Sequence, residues 1–423
     1  MFEKTLASIR SAFRTAEIRE KIIFSLLVII YFRLLAAVPI VGISRDALTE
    51  LFTRLGGIGD TISTVSGGVL STASVVAIGL GPYINASIIL QLLGTVIPKL
   101  EELRNEGSNG RRMISMYTRY LTVPLAILQS FVIFSTLRGF GLVGQLETIP
   151  LISMIATLTG GALLMMWIGE LVTERGLGNG SSYLIFLGIA SGIPSIITNN
   201  LRTADWLEAL VFFVIFLLMI VVTIYVTEAE RKITVMYSRR VRTTGTQENT
   251  IPMKLAQFGV MPVIFAISLL SFPQLIAQFL VSRDINEDVT RISQTVIDFV
   301  SNSTFENVAT FLLVIAFSFF YITVVFNAEE LAENLQKQGA FIPGIRPGKQ
   351  TSTYLRGVSF KLTAFGALFL AVISVLPSVL LQLGILSSSI MSGTGLLIVI
   401  GVVLEIKRQI ESMIVVRNYD KYL

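Results

Sequence analysis

Few side chains in this sequence could do covalent or acid–base chemistry. Its 423 residues contain neither histidine nor cysteine, which removes imidazole proton relays, thiol nucleophiles, disulfides and His/Cys metal centres together. A phosphate cradle of the form G-x-x-x-x-G-K-[ST] is also absent: GLGNG at 176–180 and PGKQT at 347–351 lack its spacing. GIGD at 57–60 offers one carboxylate, Asp60. Aspartyl proteolysis inside a membrane needs two carboxylates sharing a proton, and no second Asp falls within an apolar run. Ionisable groups in the apolar runs are scarce, with Arg33 in the first and Glu170 and Glu405 near cytoplasmic ends. A pump coupled to protons or sodium would more often place Asp or Glu at mid-membrane. No catalytic residue, metal site or cofactor is expected, and the chain carries no engine of its own.

The elements that must position anything functional are membrane spans. Hydrophobic residues make up 53% of the chain and charged residues 14%, with a mean hydropathy of +0.74, against roughly 25% charge in soluble domains. A helix crossing a bilayer needs about 20 mostly apolar residues. Ten such runs occur, near 22–42, 73–97, 117–137, 151–172, 181–198, 207–227, 257–281, 308–326, 360–384 and 393–413. The fold class expected is an all-α polytopic membrane protein with ten transmembrane helices. Of the 33 Lys and Arg residues, 26 fall at the N-terminus, in alternate connecting segments and in the tail, against six in the intervening ones. The positive-inside rule then places both termini in the cytoplasm. Residues 1–21 read as an amphipathic cytoplasmic surface helix, and 414–423 as a short cytoplasmic tail. No cleaved signal peptide is expected, because the first apolar run is too long for one.

Three irregularities point to a path through the membrane. The Gly/Ser/Thr-rich stretch 60–74 is too short to cross, and as a re-entrant segment it would imply a cavity. The second and seventh spans are interrupted alike, by GLGPYINAS (79–87) with Pro82 and GVMPVIFAIS (259–268) with Pro262. Five spans separate them, the pattern of two related halves, 22–198 and 199–413, with broken helices lining a site. Two long cytoplasmic segments, 228–256 and 327–361, are rich in basic residues and would suit docking of an acidic or nucleic-acid partner.

Several long motifs then resemble the SecY family, the pore subunits of the bacterial protein-translocation channel. They are SGGVLSTASVVAIGLGPYINASIILQLL (66–93), ERGLGNGSS (174–182), GVMPVIFA followed by Phe272 and Pro273, FIPGIRPGKQT (341–351) and GTGLLIV (393–399). The resemblance runs over nearly the whole chain, in order and in topology. It implies two pseudo-symmetric five-helix halves around a central hourglass pore. Leu80, Ile84, Ile185, Ile189, Ile264 and Ile398 would form its aliphatic waist, a ring that resists leak because narrow apolar constrictions dewet. Leu80 stands where the family often has isoleucine. Residues 61–72, with Thr61, Ser66, Gly67, Gly68 and Leu70, would be the plug. Spans 2 and 7 would form a lateral gate, with Asn85, Gln91 and Ser268 as candidate polar contacts. Arg346 would dominate docking, joined by Arg231, Arg239 and Arg240. Held between Pro343 and Pro347, Arg346 suits a rigid bidentate contact. The partners implied are small membrane subunits of the SecE and SecG kind, the SecA motor ATPase, the ribosome, unfolded preproteins with signal sequences, and lipid. A secondary transporter for an amphipathic small molecule also fits broken helices and related halves, and a scaffold without transport is a third reading. An ion-gradient requirement would mark the transporter, and indifference to mutation of the ring would mark the scaffold.

Overall fold

A computed structural model of the chain describes residues 16–40, 74–139, 148–203, 206–237, 249–257, 259–283, 286–384 and 392–420. In chain order the helices are α1 (Ala16–Ala37), α2 (Gly81–Val96), α3 (Pro98–Asn105), α4 (Ser108–Gly139), α5 (Thr148–Arg175), α6 (Gly180–Thr203) and α7 (Trp206–Glu228). Two strands follow, β1 (Glu230–Tyr237) and β2 (Asn249–Lys254), and then α8 (Met261–Arg283), α9 (Glu287–Val300), α10 (Ser303–Val325) and α11 (Ala328–Lys337). The chain closes with β3 (Ala340–Phe341), α12 (Lys349–Gln382) and α13 (Gly393–Asp420).

A helix covers most of each of the ten apolar runs. Among the described residues six helical stretches are long and apolar enough to cross a membrane, and α2 with α3, bent by 106° at Ile97, makes a seventh. The remaining runs fall on α1, α6 and α13. Charges in α1 (Glu20, Lys21, Arg33) and α13 (Glu405, Lys407, Arg408) interrupt their apolar stretches, and the described apolar part of α6 stops at Pro194. The surface of α7 shows the solvent these helices expect: Phe213, Val214, Leu217, Leu218 and Val221 are each more than half exposed. Lipid satisfies such a face, whereas water would not. The molecule is an all-helical multi-pass membrane protein apart from one small sheet.

Packing divides the chain into two compact units. One comprises Met1–Thr203, Ile267–Glu306 and Val402–Leu423, the other Ala204–Ala266 and Asn307–Gly401. Helices α8, α10 and α13 each contribute residues to both. In the first unit α4 packs against α2, α3 and α5, and α5 against α1 and α6. A buried Ser130–Thr159 hydroxyl contact (3.1 Å) and an Arg119–Glu170 ion pair (2.7 Å) join α4 to α5.

In the second unit the two long basic segments, separate in sequence, combine into one module. Strand β1 pairs antiparallel with β2, from Glu230↔Lys254 to Val235↔Asn249, and on its other edge with β3 through Met236↔Phe341. The sheet order is β2-β1-β3. Ile233 and Val235 on β1 point to one face, as the two-residue strand period requires, and meet Met253, Leu335, Ile342 and Leu355 in a buried cluster. The sheet therefore has its own core, completed by α11 and the first turns of α12. Loop composition alone predicts only exposed basic segments here, because β1 finds its second partner, β3, about a hundred residues along the chain.

Candidate functional site

Two short sequences with the same pattern, G-x-x-P-x-I, begin the helices that carry the expected waist: GLGPYI at 79–84 and GVMPVI at 259–264. Their local geometry matches. Gly79 and Gly259 both take φ of 60°, a left-handed conformation that glycine adopts without steric cost. Each closes the turn before it, the Gly79 N–H donating to Val76 O (2.9 Å) and the Gly259 N–H to Ala256 O (3.4 Å). Two residues later the helix starts. The Ile84 N–H then donates to Leu80 O (2.9 Å), and the Ile264 N–H to Val260 O (3.2 Å).

Pro82 and Pro262 thus lie in the first turn of α2 and α8, not inside them. This differs from the interruption within a span that the sequence suggests. The physical reason is that a first-turn residue has no intrahelical use for its N–H, so proline is favoured there. Residues 75–80 form a turn ahead of α2, tied at its start by the Val75 N–H to Val38 O (3.0 Å).

All six residues expected at the waist are buried, at 2–8% exposure. In the first unit Leu80 and Ile84 occupy the start of α2, while Ile185 and Ile189, one turn apart on α6, share a face. Both α2 and α6 pack on α5. In the second unit Ile264 lies on α8 and Ile398 on α13. There Val260 fills the space in which a Cβ at Gly401 would stand, so α13 passes close to the residue one turn before Ile264. Val260 is also buried, and by the repeated pattern it is the counterpart of Leu80. It is missing from the residues expected at the waist, although the pattern shared by 79–84 and 259–264 marks it.

The expected gate residues are placed on α2 and α8 but are not joined. Asn85 and Ser268 are buried and Gln91 half-buried, and among the described residues no hydrogen bond links the three. Around them, the Gln129 carboxamide of α4 lies against Gly81, and Phe131 of α4 meets Phe279 of α8 edge to face at 5.5 Å. On α8, Ser268, Ser271 and Gln274 form a buried polar stripe at three-residue spacing. The Ser271 hydroxyl donates to Ile267 O (2.9 Å), whereas the Gln274 Nε2 amide is buried with no partner among the described residues. The expected plug residues Thr61, Ser66, Gly67, Gly68 and Leu70 lie outside the described residues.

The basic docking residues divide similarly. Arg239 and Arg240 lie outside the described residues. Arg231 is exposed at the start of β1, opposite Met253. Arg346 is exposed on the turn between β3 and α12. Ile342 and Ile345, both just before Arg346, anchor that turn in the module's core, Gly344 and Gly348 bend it with φ of 80° and 92°, and beyond it the Thr351 hydroxyl donates to Arg346 O (2.9 Å). The guanidinium has no ion-pair partner among the described residues. Elsewhere in the module Arg356 contacts Glu329 (3.5 Å), and Lys337 donates to Glu333 (2.8 Å), which holds the Glu333 carboxyl below its usual range. The turn thus presents a guanidinium that is exposed and unpaired among the described residues, with Lys349 exposed three residues on.

The glycine-rich turn 176–180 spends its amides internally. The Leu177 N–H donates to Ser25 Oγ (3.2 Å), the Gly178 N–H to Gln409 Oε1, the Asn179 N–H to Glu405 Oε1 (3.3 Å) and the Gly180 N–H to Thr173 Oγ1 (2.9 Å). Asn179 Oδ1 accepts from the Ser181 N–H (3.1 Å) and caps α6. A phosphate cradle needs those N–H groups free; here they clasp α1 and α13 to the start of α6.

Comparison with known proteins agrees with this architecture. The SecY family model matches residues 74–407. The protein translocase subunit SecY of Streptomyces scabiei is 38% identical over 439 residues, which cover 99% of this chain and 100% of that protein. A solved protein-conducting channel superposes with a TM-score of 0.67 at 16% identity, covering 93% of this chain and 92% of its own. Sec61 in the canine ribosome–channel complex from the endoplasmic reticulum gives a TM-score of 0.64 at 15% identity, with coverage of 93% and 92%. At these identities the solved structures establish the fold, and the match of sequence over the full length establishes kinship: the chain belongs to the SecY family of protein translocase subunits.

Proposed function

We propose that this chain is the pore subunit of a protein translocase in a bacterial plasma membrane. It is a passive protein-conducting channel and not an enzyme. Unfolded secretory polypeptides cross through it, and signal or transmembrane segments leave it sideways into lipid. The observation that carries the reading is the repeated G-x-x-P-x-I helix start, which sets buried Leu80 and Ile84, and again Val260 and Ile264, at the beginning of a span. No Asp, Glu, Lys or Arg falls in 74–98 or 255–282. A ring of branched aliphatic side chains resists water and ions by dewetting, yet makes no sequence-specific hydrogen bond to a passing chain. With Ile185, Ile189 and Ile398 these residues form the waist, and residues 61–72 are its plug.

Spans 2 and 7 form the lateral gate, and the polar side chains Asn85, Gln91 and Ser268 tune its closure. The energy comes from a partner, either a SecA-type motor or a ribosome, docked on the sheet module through Arg346, with Arg231, Arg239 and Arg240 adding positive charge. Support for this is a guanidinium exposed and unpaired among the described residues, on a turn held by Ile342 and Ile345 before it and by the Thr351 hydroxyl after it, the arrangement that favours a bidentate contact to carboxylate or phosphate. Small membrane subunits of the SecE and SecG kind complete the assembly. Both termini are cytoplasmic, as the excess of Lys and Arg in alternate segments supports.

The test is cross-linking of a translocation-arrested preprotein to single cysteines at Leu80, Ile84, Ile185, Ile189, Ile264 and Ile398, in a chain that has no native cysteine. Adducts at these positions and none at lipid-facing Leu217 support the reading. A stalled client that never reaches them overturns it.

A further inference from the structure

Helix α9 (Glu287–Val300) connects two spans and is too polar to be one. Three residues separate it from α8 and two from α10. At 1.5 Å per residue its 14 residues extend about 21 Å, so short tethers at both ends hold it at the membrane boundary. By the distribution of Lys and Arg this is the outer face.

Its surface is divided three ways. With about 100° between successive residues, Glu287, Arg291, Gln294 and Asp298 fall on one arc, and all are exposed. The opposite arc faces protein: Ser293 is buried, and Val289, Ile297 and Val300 are half-buried. Between these lies a third line, Ile292 and Phe299, two turns apart and 63% and 59% exposed. Neither protein nor water suits that third line.

Its continuation shows what does. The Phe299 ring packs against Phe305, in the first turn of α10, with centroids 4.2 Å apart and the rings tilted by 43°. Phe305 begins a stripe on α10 that runs through Val308 and Leu312, which are 53% and 59% exposed. Those residues belong to a helix apolar enough to cross a membrane, so their exposed side is a lipid-facing surface. The Ile292–Phe299 line extends it beyond the end of the span.

We propose that α9 is an interfacial helix seated in the outer leaflet, with Ile292 and Phe299 inserted at the boundary between headgroups and acyl chains. Its water-facing arc carries two carboxylates, Glu287 and Asp298, against one guanidinium, Arg291, and Asp288 adds a further negative charge at the helix start, one turn before Ile292. The recognition is therefore of apolar lipid, without attraction to anionic headgroups. A helix so seated ties the outer end of α8, the helix carrying Ile264 and Ser268, to the lipid surface.

The experiment places single cysteines in the full-length chain, with its co-purifying subunits, at Glu287, Gln294 and Asp298 on the polar arc and at Ile292 and Phe299 on the apolar line. Each carries a nitroxide, and the protein is reconstituted in phosphatidylcholine liposomes. Collision with oxygen, which concentrates in lipid, is compared with collision with a water-soluble nickel chelate. Oxygen should dominate severalfold at Ile292→Cys and Phe299→Cys, and the chelate severalfold at the polar positions. Chelate dominance at Ile292→Cys and Phe299→Cys would put the face in water and overturn the proposal. Low collision with both reagents there would mean that protein covers the face, and would overturn it equally. Adding phosphatidylglycerol should leave the apolar-line values unchanged.

Discussion

Replacing Gly401 by alanine tests the packing that positions half of the proposed waist. A Cβ at this position of α13 would overlap Cγ1 of Val260, well inside van der Waals distance. Val260 is buried and sits at the tight turn before α8, so it has little freedom to yield, and overpacking of this kind costs about 1–3 kcal/mol. Val260→Ala alone should cost about 1–2 kcal/mol, mainly through lost contacts, since lipid is as apolar as the site and the transfer contribution is small. In the double variant the new methyl group occupies the space that the valine vacates. The two costs should then fail to add, leaving the pair about 1–3 kcal/mol more stable than their sum. The measurement is the thermal unfolding midpoint of the full chain in detergent, followed by tryptophan fluorescence. Gly401→Ala should lower the midpoint, and adding Val260→Ala should raise it again, although that change is itself destabilising. Because Val260 and Gly401 flank Ile264 and Ile398 closely in sequence, ion leak through reconstituted channels should follow the same order. Additive losses in the double variant would refute the contact and, with it, the placing of α13 against the start of α8.

Three further outcomes are expected. Arg346→Glu should weaken motor or ribosome binding at least about tenfold, the equivalent of one charge-assisted hydrogen bond. It should leave thermal stability unchanged because the side chain is exposed. Leu355→Ala, in the module's core at 0% exposure, should instead cost about 2–5 kcal/mol and reduce docking and stability together, and equal loss of folded protein in both variants would point to a structural role for Arg346. Ile264→Asn or Ile398→Asn should raise ion conductance and admit defective signal sequences, as planar-bilayer recordings and export assays would show, and unchanged conductance would count against the waist. Gln274→Leu should raise the thermal midpoint, since its buried Nε2 lacks a partner among the described residues and an unsatisfied group costs about 1–3 kcal/mol; a lower midpoint would reveal a partner for that amide.

What residue order alone determines here follows from short-range physics. A bilayer demands runs of apolar residues, so spans can be counted along the chain, and the described helices lie over those runs. Missing residue types exclude whole chemistries without reference to any coordinate. The start of α2 was half legible: the proline and glycine were visible at 79–84, but they read as a break inside a span, because a one-dimensional pattern does not show where hydrogen bonding begins. Only tertiary structure joined 228–256 to 327–361, since a strand's own two-residue alternation does not say which segment about a hundred positions away will pair with it. It alone revealed that GLGNG clasps α1 and α13, because free and occupied amides have the same sequence. It alone showed that Val260 meets Gly401, since an absent side chain has meaning only against the neighbour that fills its place.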